Sequence, residues 1–97
     1  MILVDEARWP WRGRYWAHLV SDESYDELHV FASRLGMRRE WFQHKESRPH
    51  QAHYDLPERS RQAALDLGAV AVTWRQLARL TREWRHAGVR PAPPGPP

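Results

Sequence analysis

The 97-residue chain contains six histidines, twelve acidic residues and no cysteine. Thiolate nucleophiles, disulfides and thiolate metal sites are therefore excluded, and any chemistry falls to imidazole, carboxylate and hydroxyl groups. The most suggestive set is Asp5, His18, Asp22, His53 and Asp55. Histidine ionises near neutral pH, so His18 or His53 is a candidate general base, and Asp5, Asp22 or Asp55 is a candidate partner to orient its ring. Arg8, Arg61 and Arg75 could hold an anionic group through their guanidinium forks, and Tyr54 lies between His53 and Asp55 as a further ligand contact. Helix N-termini expected at Ser24 and Thr73 would favour a phosphate or carboxylate nearby. The competing reading makes Asp22 and Asp55 turn or cap residues and the histidines satisfied structural groups.

Two other chemistries compete with this one. His50-x-x-His53-x-Asp55, completed by His18, has donor types that zinc or manganese accept. Such spacing is common by chance, so no residue is assigned to a metal and no cofactor is identified. Arg8-Trp-Pro-Trp-Arg-Gly-Arg-Tyr-Trp16 interleaves three arginines with four aromatic rings, a composition suited to phosphate neutralisation and base stacking. The chain has no Gly-rich phosphate loop, no G-x-S-x-G elbow and no H-E-x-x-H motif. Ser21 would act as a nucleophile only if His18 or His53 approached it. His29 is read as structural at a helix edge, and His44 and His86 as surface residues. Trp9 and Trp11 suggest a lid or a partner surface.

These groups need a scaffold to bring them together. The length allows one domain with one modest core. The longest apolar runs fall far short of the ~20 residues needed to cross a bilayer, and the first residues lack the pattern of a secretory signal. Together with absent cysteine, this suggests a cytoplasmic protein. Met1–Val4 reads as a buried strand, Glu6–Tyr15 as a loop, Trp16–Val20 as a second strand and Trp41–Gln43 as a third. Ser24-x-x-Glu27 and Thr73-x-x-Gln76 are capping boxes that open the first and third helices. Pro57 belongs in the first turn of the second helix, capped by Asp55 or Leu56. Ala69–Val72 is a further short strand. The expected fold is a small single α/β domain over residues 1–89, with a three- or four-stranded, mostly parallel sheet and three helices. In a parallel sheet Asp5, Ser21, Asp22, His53, Asp55 and Thr73 would share one ligand-binding rim. Residues 90–97 hold five of the eight prolines and read as a disordered, polyproline-like tail.

The basic residues, fourteen arginines and one lysine, concentrate towards the end of the chain. Residues 1–35 carry a net −2 and residues 36–97 a net +5. A basic second half could meet an anionic partner.

Val4-Asp5 with Arg8, Trp16-x-His18, Asp22, Glu27-Leu-His29, Ala32, Gly36, Trp41, His53-Tyr-Asp55, Arg61, Gly68-Ala69 and Thr73-x-Arg75 together resemble the small bacterial and phage proteins grouped as domain of unknown function 4031. The resemblance runs from about Ile2 to Leu80 and implies a compact α/β domain without an assigned activity. The family pattern does not fix a histidine at position 50, which counts against a metal site there. The favoured function is a rim pocket of His and Asp residues that binds or acts on a small anionic ligand, possible phosphate esters included. The alternative is a nucleic-acid or protein-binding accessory module that uses the Arg/Trp loop and the arginine face of helix three. The sequence does not decide between an enzyme and a binder, nor does it give an oligomeric state.

Overall fold

The computed structural model describes residues 1–87. The expected domain end at Val89, the helix stop at Gly88 and the proline-rich tail at 90–97 lie outside the described residues. The elements follow in the order β1 (Ile2–Val4), β2 (Trp9–Trp11), β3 (Arg14–Ser21), α1 (Tyr25–Arg34), β4 (Phe42–Gln43), β5 (His53–Pro57), α2 (Glu58–Asp66), β6 (Val70–Ala71) and α3 (Trp74–Ala87). Short 3-10 turns at Arg39–Trp41 and Pro49–Gln51 precede β4 and β5. Among the described residues no helix is long and apolar enough to cross a membrane.

The α/β class and the three helices match expectation, but the sheet does not. It has six strands in the order β4-β5-β3-β1-β6, with β2 also paired to β3. Only β1 and β6 are parallel; β1–β3, β2–β3, β3–β5 and β4–β5 are all antiparallel. The mostly parallel expectation assumed helical crossovers between neighbouring strands. Here β2 and β3 are instead joined by a tight turn, and β4 and β5 by a loop, both of which reverse the chain.

The turn between β2 and β3 is where the expected loop becomes a hairpin. Arg12 and Gly13 both have positive φ, 50° and 74°. A two-residue turn of that hand matches the right-handed twist of its strands. Trp9 then faces Trp16, and Trp11 faces Arg14. Because β5 occupies the other edge of β3 at Trp16–Leu19, β2 continues the line of β1 along one edge. Residues 5–8 are the excursion between them.

The sheet is covered on both faces. Val4, Ala17, Leu19, Tyr54 and Leu56 pack against Leu28, Phe31 and Ala32 of α1 and Ala64 of α2. Ala64 is the buried contact of α2, whereas its neighbour Ala63 is exposed. On the opposite face Leu3 and Val20 pack against Leu77 and Trp84 of α3, with Val72 and Leu80 at the edge. The Thr73 box forms reciprocally: Gln76 N–H donates to Thr73 Oγ1, and Thr73 N–H donates to Gln76 Oε1. The Ser24 box is half formed. Ser24 Oγ accepts from Glu27 N–H, but the Glu27 carboxylate turns to Ser21 and the N-terminal ammonium. Pro57 occupies the N-cap position of α2 without a side-chain cap, because His53–Pro57 is strand rather than helix approach.

Candidate functional site

Antiparallel pairing places His18 directly opposite Asp55 on adjacent strands, and directly opposed side chains share a face. His53 is two residues before Asp55, so strand alternation puts it on that face too. The His18 and His53 rings lie 5.1 Å apart, edge to face. Both line a cavity of about 370 Å³ with Asp5, Trp9, Gln51 and Trp74, closed at its apolar end by Val20 and Leu77.

Asp5 is positioned by the end of β1. Its backbone N–H donates to His18 O at 3.2 Å, as a ladder residue would. Its carboxylate then replaces the next ladder carbonyl, accepting from His18 N–H at 2.6 Å and from His18 Nδ1 at 2.8 Å. Asp5 is only 1% exposed, and its backbone carbonyl accepts from Arg61 Nε at 2.9 Å. A carboxylate accepts, so His18 carries its proton on Nδ1 and presents Nε2 away from Asp5.

His53 is held in the same way by a different partner. Its Nδ1 donates to the Gln51 carbonyl at 2.7 Å. Its Nε2 lies 3.3 Å from Asp55 Oδ1, and Asp55 Oδ2 accepts from Gln43 Nε2. Burial opposes protonation of His53, but its bonds to Asp55 and Gln51 and the carboxylate charges of Asp55 and Asp5 outweigh it, leaving the pKa raised. Burial likewise opposes ionisation of Asp55, yet the bond and charge of His53, the Gln43 bond and the nearby His18 hold its pKa below the ordinary value. His18, His53 and Asp55 each offer a ligand atom within 4.8 Å of the others, the one such group of three among the described residues.

Aromatic rings form the walls. Trp9 lies 5.3 Å from His18 and 6.5 Å from Trp74. The Arg8 and Arg75 guanidinium carbons lie 5.2 and 5.3 Å from the Trp74 ring. Glu6 fixes this wall to the chain excursion by accepting from Trp74 N–H at 2.9 Å.

The structure thus gathers Asp5, His18, His53 and Asp55; Arg8 and Arg75 lie against the Trp74 ring and, like Arg61, are not among the residues lining the cavity. Three expected residues lie elsewhere. Asp22 is at the other end of β1, where it accepts from the Met1 ammonium at 2.6 Å. Antiparallel pairing of Ile2 with Ser21 carries Ser21 and Asp22 to that end, so the common rim expected of a parallel sheet does not form. Ser21 is bonded there to Glu27. Tyr54 points to the opposite sheet face, is 1% exposed, and bonds through its hydroxyl to His29 Nδ1 at 2.8 Å. Arg61 secures the backbone of Asp5 and is not among the residues lining the cavity. His50 is 8% exposed and lies outside the three-residue donor group.

Sequence reasoning missed Gln43, Gln51, Glu6 and the wall role of Trp74. Gln51 and Gln43 act through a carbonyl and a cross-strand neighbour, for which the sequence gives no local signal. Trp74 had one: it is the first residue of a helix, directly after the Thr73 cap and beside the strand end.

The family model described as protein of unknown function (DUF4031) matches residues 2–84. No curated protein and no solved structure gives a match.

Proposed function

The chain belongs to the DUF4031 family, whose description assigns no activity, and from that premise we propose that the pocket lined by Asp5, His18 and His53, with Asp55 beside His53, binds or acts on a small anionic ligand, a phosphorylated compound included. The observation that carries this reading is the pairing of two imidazoles 5.1 Å apart, each with Nδ1 pinned by an acceptor, at a cavity of about 370 Å³. That volume suits a small molecule.

In this reading the two rings have different roles. His18, backed by the buried Asp5 carboxylate, accepts a proton at Nε2 and is the general base. His53, whose pKa the bonds to Asp55 and Gln51 raise above the ordinary value, is the proton donor. Arg8 and Arg75, exposed and seated on the Trp74 ring, supply positive charge beside the cavity for the anionic group. Trp9 and Trp74, packed edge to face, give the cavity an apolar wall against which an organic body can rest. A cytoplasmic setting fits the cysteine-free sequence.

The test is titration of the purified chain with inorganic phosphate and a phosphate monoester, followed by tryptophan fluorescence and by turnover of the ester. Saturable quenching that disappears in both His18→Ala and His53→Ala supports the pocket. Unchanged quenching in both variants refutes it.

One observation favours a second reading, nucleic-acid binding by the hairpin. Trp11 is 54% exposed and Tyr15 52%, and the Arg12 guanidinium carbon lies 4.4 Å from the Trp11 ring. Arg75, Arg79, Arg82 and Arg85 of α3 are exposed as well. Binding of single-stranded DNA or RNA that weakens steeply with salt supports it, and no retention at low salt removes it.

A further inference from the structure

We propose that His18 Nε2, His53 Nε2 and Asp55 together hold one first-row divalent transition-metal ion, whose open positions face the pocket and receive the anionic group of the ligand. The inference rests on the reading of this pocket as the anion site; with the ion bound, the Nε2 lone pairs coordinate it instead of transferring protons, and the ion takes over holding the anionic group.

The Gln51 carbonyl accepts only, so the proton on a neutral His53 ring must sit on Nδ1. Nε2 then presents a lone pair, and the group facing it at 3.3 Å is Asp55 Oδ1, another acceptor. Two acceptors so close share a cation, either the second proton of an imidazolium or a metal ion in its place. His18 adds a third lone pair, because Asp5 fixes its proton on Nδ1 by the same logic. One ligand atom from each of His18, His53 and Asp55 lies within 4.8 Å of the others.

Around them stands the support that metal-binding histidines require. Such a ring nearly always gives its second nitrogen to a carboxylate or a backbone carbonyl, which sets the tautomer and the ring plane. His18 uses the Asp5 carboxylate and His53 the Gln51 carbonyl, while Gln43 holds the second oxygen of Asp55. The three donors come from adjacent strands β3 and β5, a rigid base for coordination geometry.

Donor chemistry selects the ion. Two imidazoles and one carboxylate suit zinc, iron, cobalt or nickel and disfavour calcium and magnesium, which prefer oxygen. Three protein donors leave coordination positions open, the arrangement of a catalytic or ligand-binding site. Charge makes the same point. Asp5 and Asp55 bring two carboxylates to a pocket proposed for an anion; a divalent cation offsets them and lets Arg8 and Arg75 act on the ligand.

The experiment uses the full chain, stripped with chelator and dialysed. Zn²⁺ alone is titrated by calorimetry, and Co²⁺ is titrated for visible d–d absorption. The expected result is one ion per chain with a Kd of about 10 µM or tighter and a cobalt spectrum carrying imidazole-type bands. His53→Gln and Asp55→Asn, checked for native circular dichroism, should weaken zinc by about 100-fold or more. His44→Ala, an exposed histidine outside the group, should not change it. Phosphate is then titrated with and without Zn²⁺, and zinc should tighten it about tenfold or more. A featureless zinc titration to about 1 mM overturns the metal site; phosphate binding without zinc would in that case leave the pocket reading standing. Zinc binding that survives both variants also overturns it. Zinc binding lost in both variants, with phosphate bound in neither arm, supports the metal site and removes the anionic-ligand reading.

Discussion

Replacing Asp5 by asparagine should invert the protonation of His18 without changing the shape of the site. The Asp5 carboxylate serves two donors, the His18 backbone N–H at 2.6 Å and the His18 ring at 2.8 Å. The backbone N–H cannot change its role, so the amide oxygen of an asparagine must face it. The amide NH₂ is then aimed at Nδ1 and donates to it, which moves the ring proton to Nε2. A pocket-facing lone pair becomes an N–H, and base and metal-donor capacity are lost together. Bonds to a charged group contribute roughly 1.5–3 kcal/mol and neutral ones roughly 0.5–1.5. Exchanging one kind for the other at this buried residue should cost about 1–2 kcal/mol. For a domain of this size that lowers Tm by roughly 5–15 °C. Asp5→Ala leaves the His18 N–H without its partner and should cost about 3 kcal/mol or more. The assay is long-range ¹H–¹⁵N correlation of the histidine rings near pH 8. Wild type should show His18 as the Nδ1–H tautomer and Asp5→Asn as the Nε2–H tautomer, with His53 unchanged. An Nε2–H tautomer already present in the wild type, or no change in the folded variant, would refute the reasoning.

Three further outcomes follow from the geometry. Arg12→Gly should stabilise the β2–β3 hairpin by roughly 0.5–1 kcal/mol, because Arg12 sits at φ 50°, a conformation glycine adopts without a Cβ clash; thermal unfolding checks this, and a lower Tm contradicts it. Tyr54→Phe should cost about 0.5–1.5 kcal/mol through loss of the His29 bond, yet leave phosphate affinity within about twofold, since the ring faces away from the pocket; a large affinity loss would contradict that placement. Burial, with the charges of Arg39 and His44, lowers the pKa of His29 below its ordinary value of 6.5 despite the opposing charge of Asp26. The unfolded chain therefore binds more protons than the folded one as pH falls through 6.5. Stability should drop there, by at most about 1.4 kcal/mol per pH unit from this group. Denaturant midpoints measured between pH 7.5 and 5 should slope less for His29→Gln, and an equal slope would exclude His29 as a source.

The legible parts of the fold were those written in local signals. Thr73-x-x-Gln76 forms the reciprocal cap it encodes, and Tyr25, Leu28 and Ala32 bury the stripe their spacing describes. Strand partners were not legible, because pairing depends on contacts between distant residues. The continuous apolar run Ile2–Val4 is buried on both faces as a parallel strand would be, yet its neighbour β3 is antiparallel. The Arg/Trp stretch hid a hairpin because its turn uses Arg12 where Asn or Gly would have signalled it. For the site, His18, His53, Asp5 and Asp55 were nameable by residue type, and the structure puts them together for a reason the sequence did not supply. The parallel rim would have gathered strand ends; instead the antiparallel β3–β5 register sets His18 against Asp55 in mid-strand. The same register separates Asp22 from Asp5 and turns Tyr54 inward.

The most direct measurement of the central claim is a crystal structure of the chain grown with Zn²⁺ and inorganic phosphate. The expected result is one metal peak bonded to His18 Nε2, His53 Nε2 and Asp55, with phosphate on its open side in the cavity that Trp9 and Trp74 line. Phosphate found only along the exposed arginines of α3, with the two imidazoles turned away from a common cavity, would contradict it.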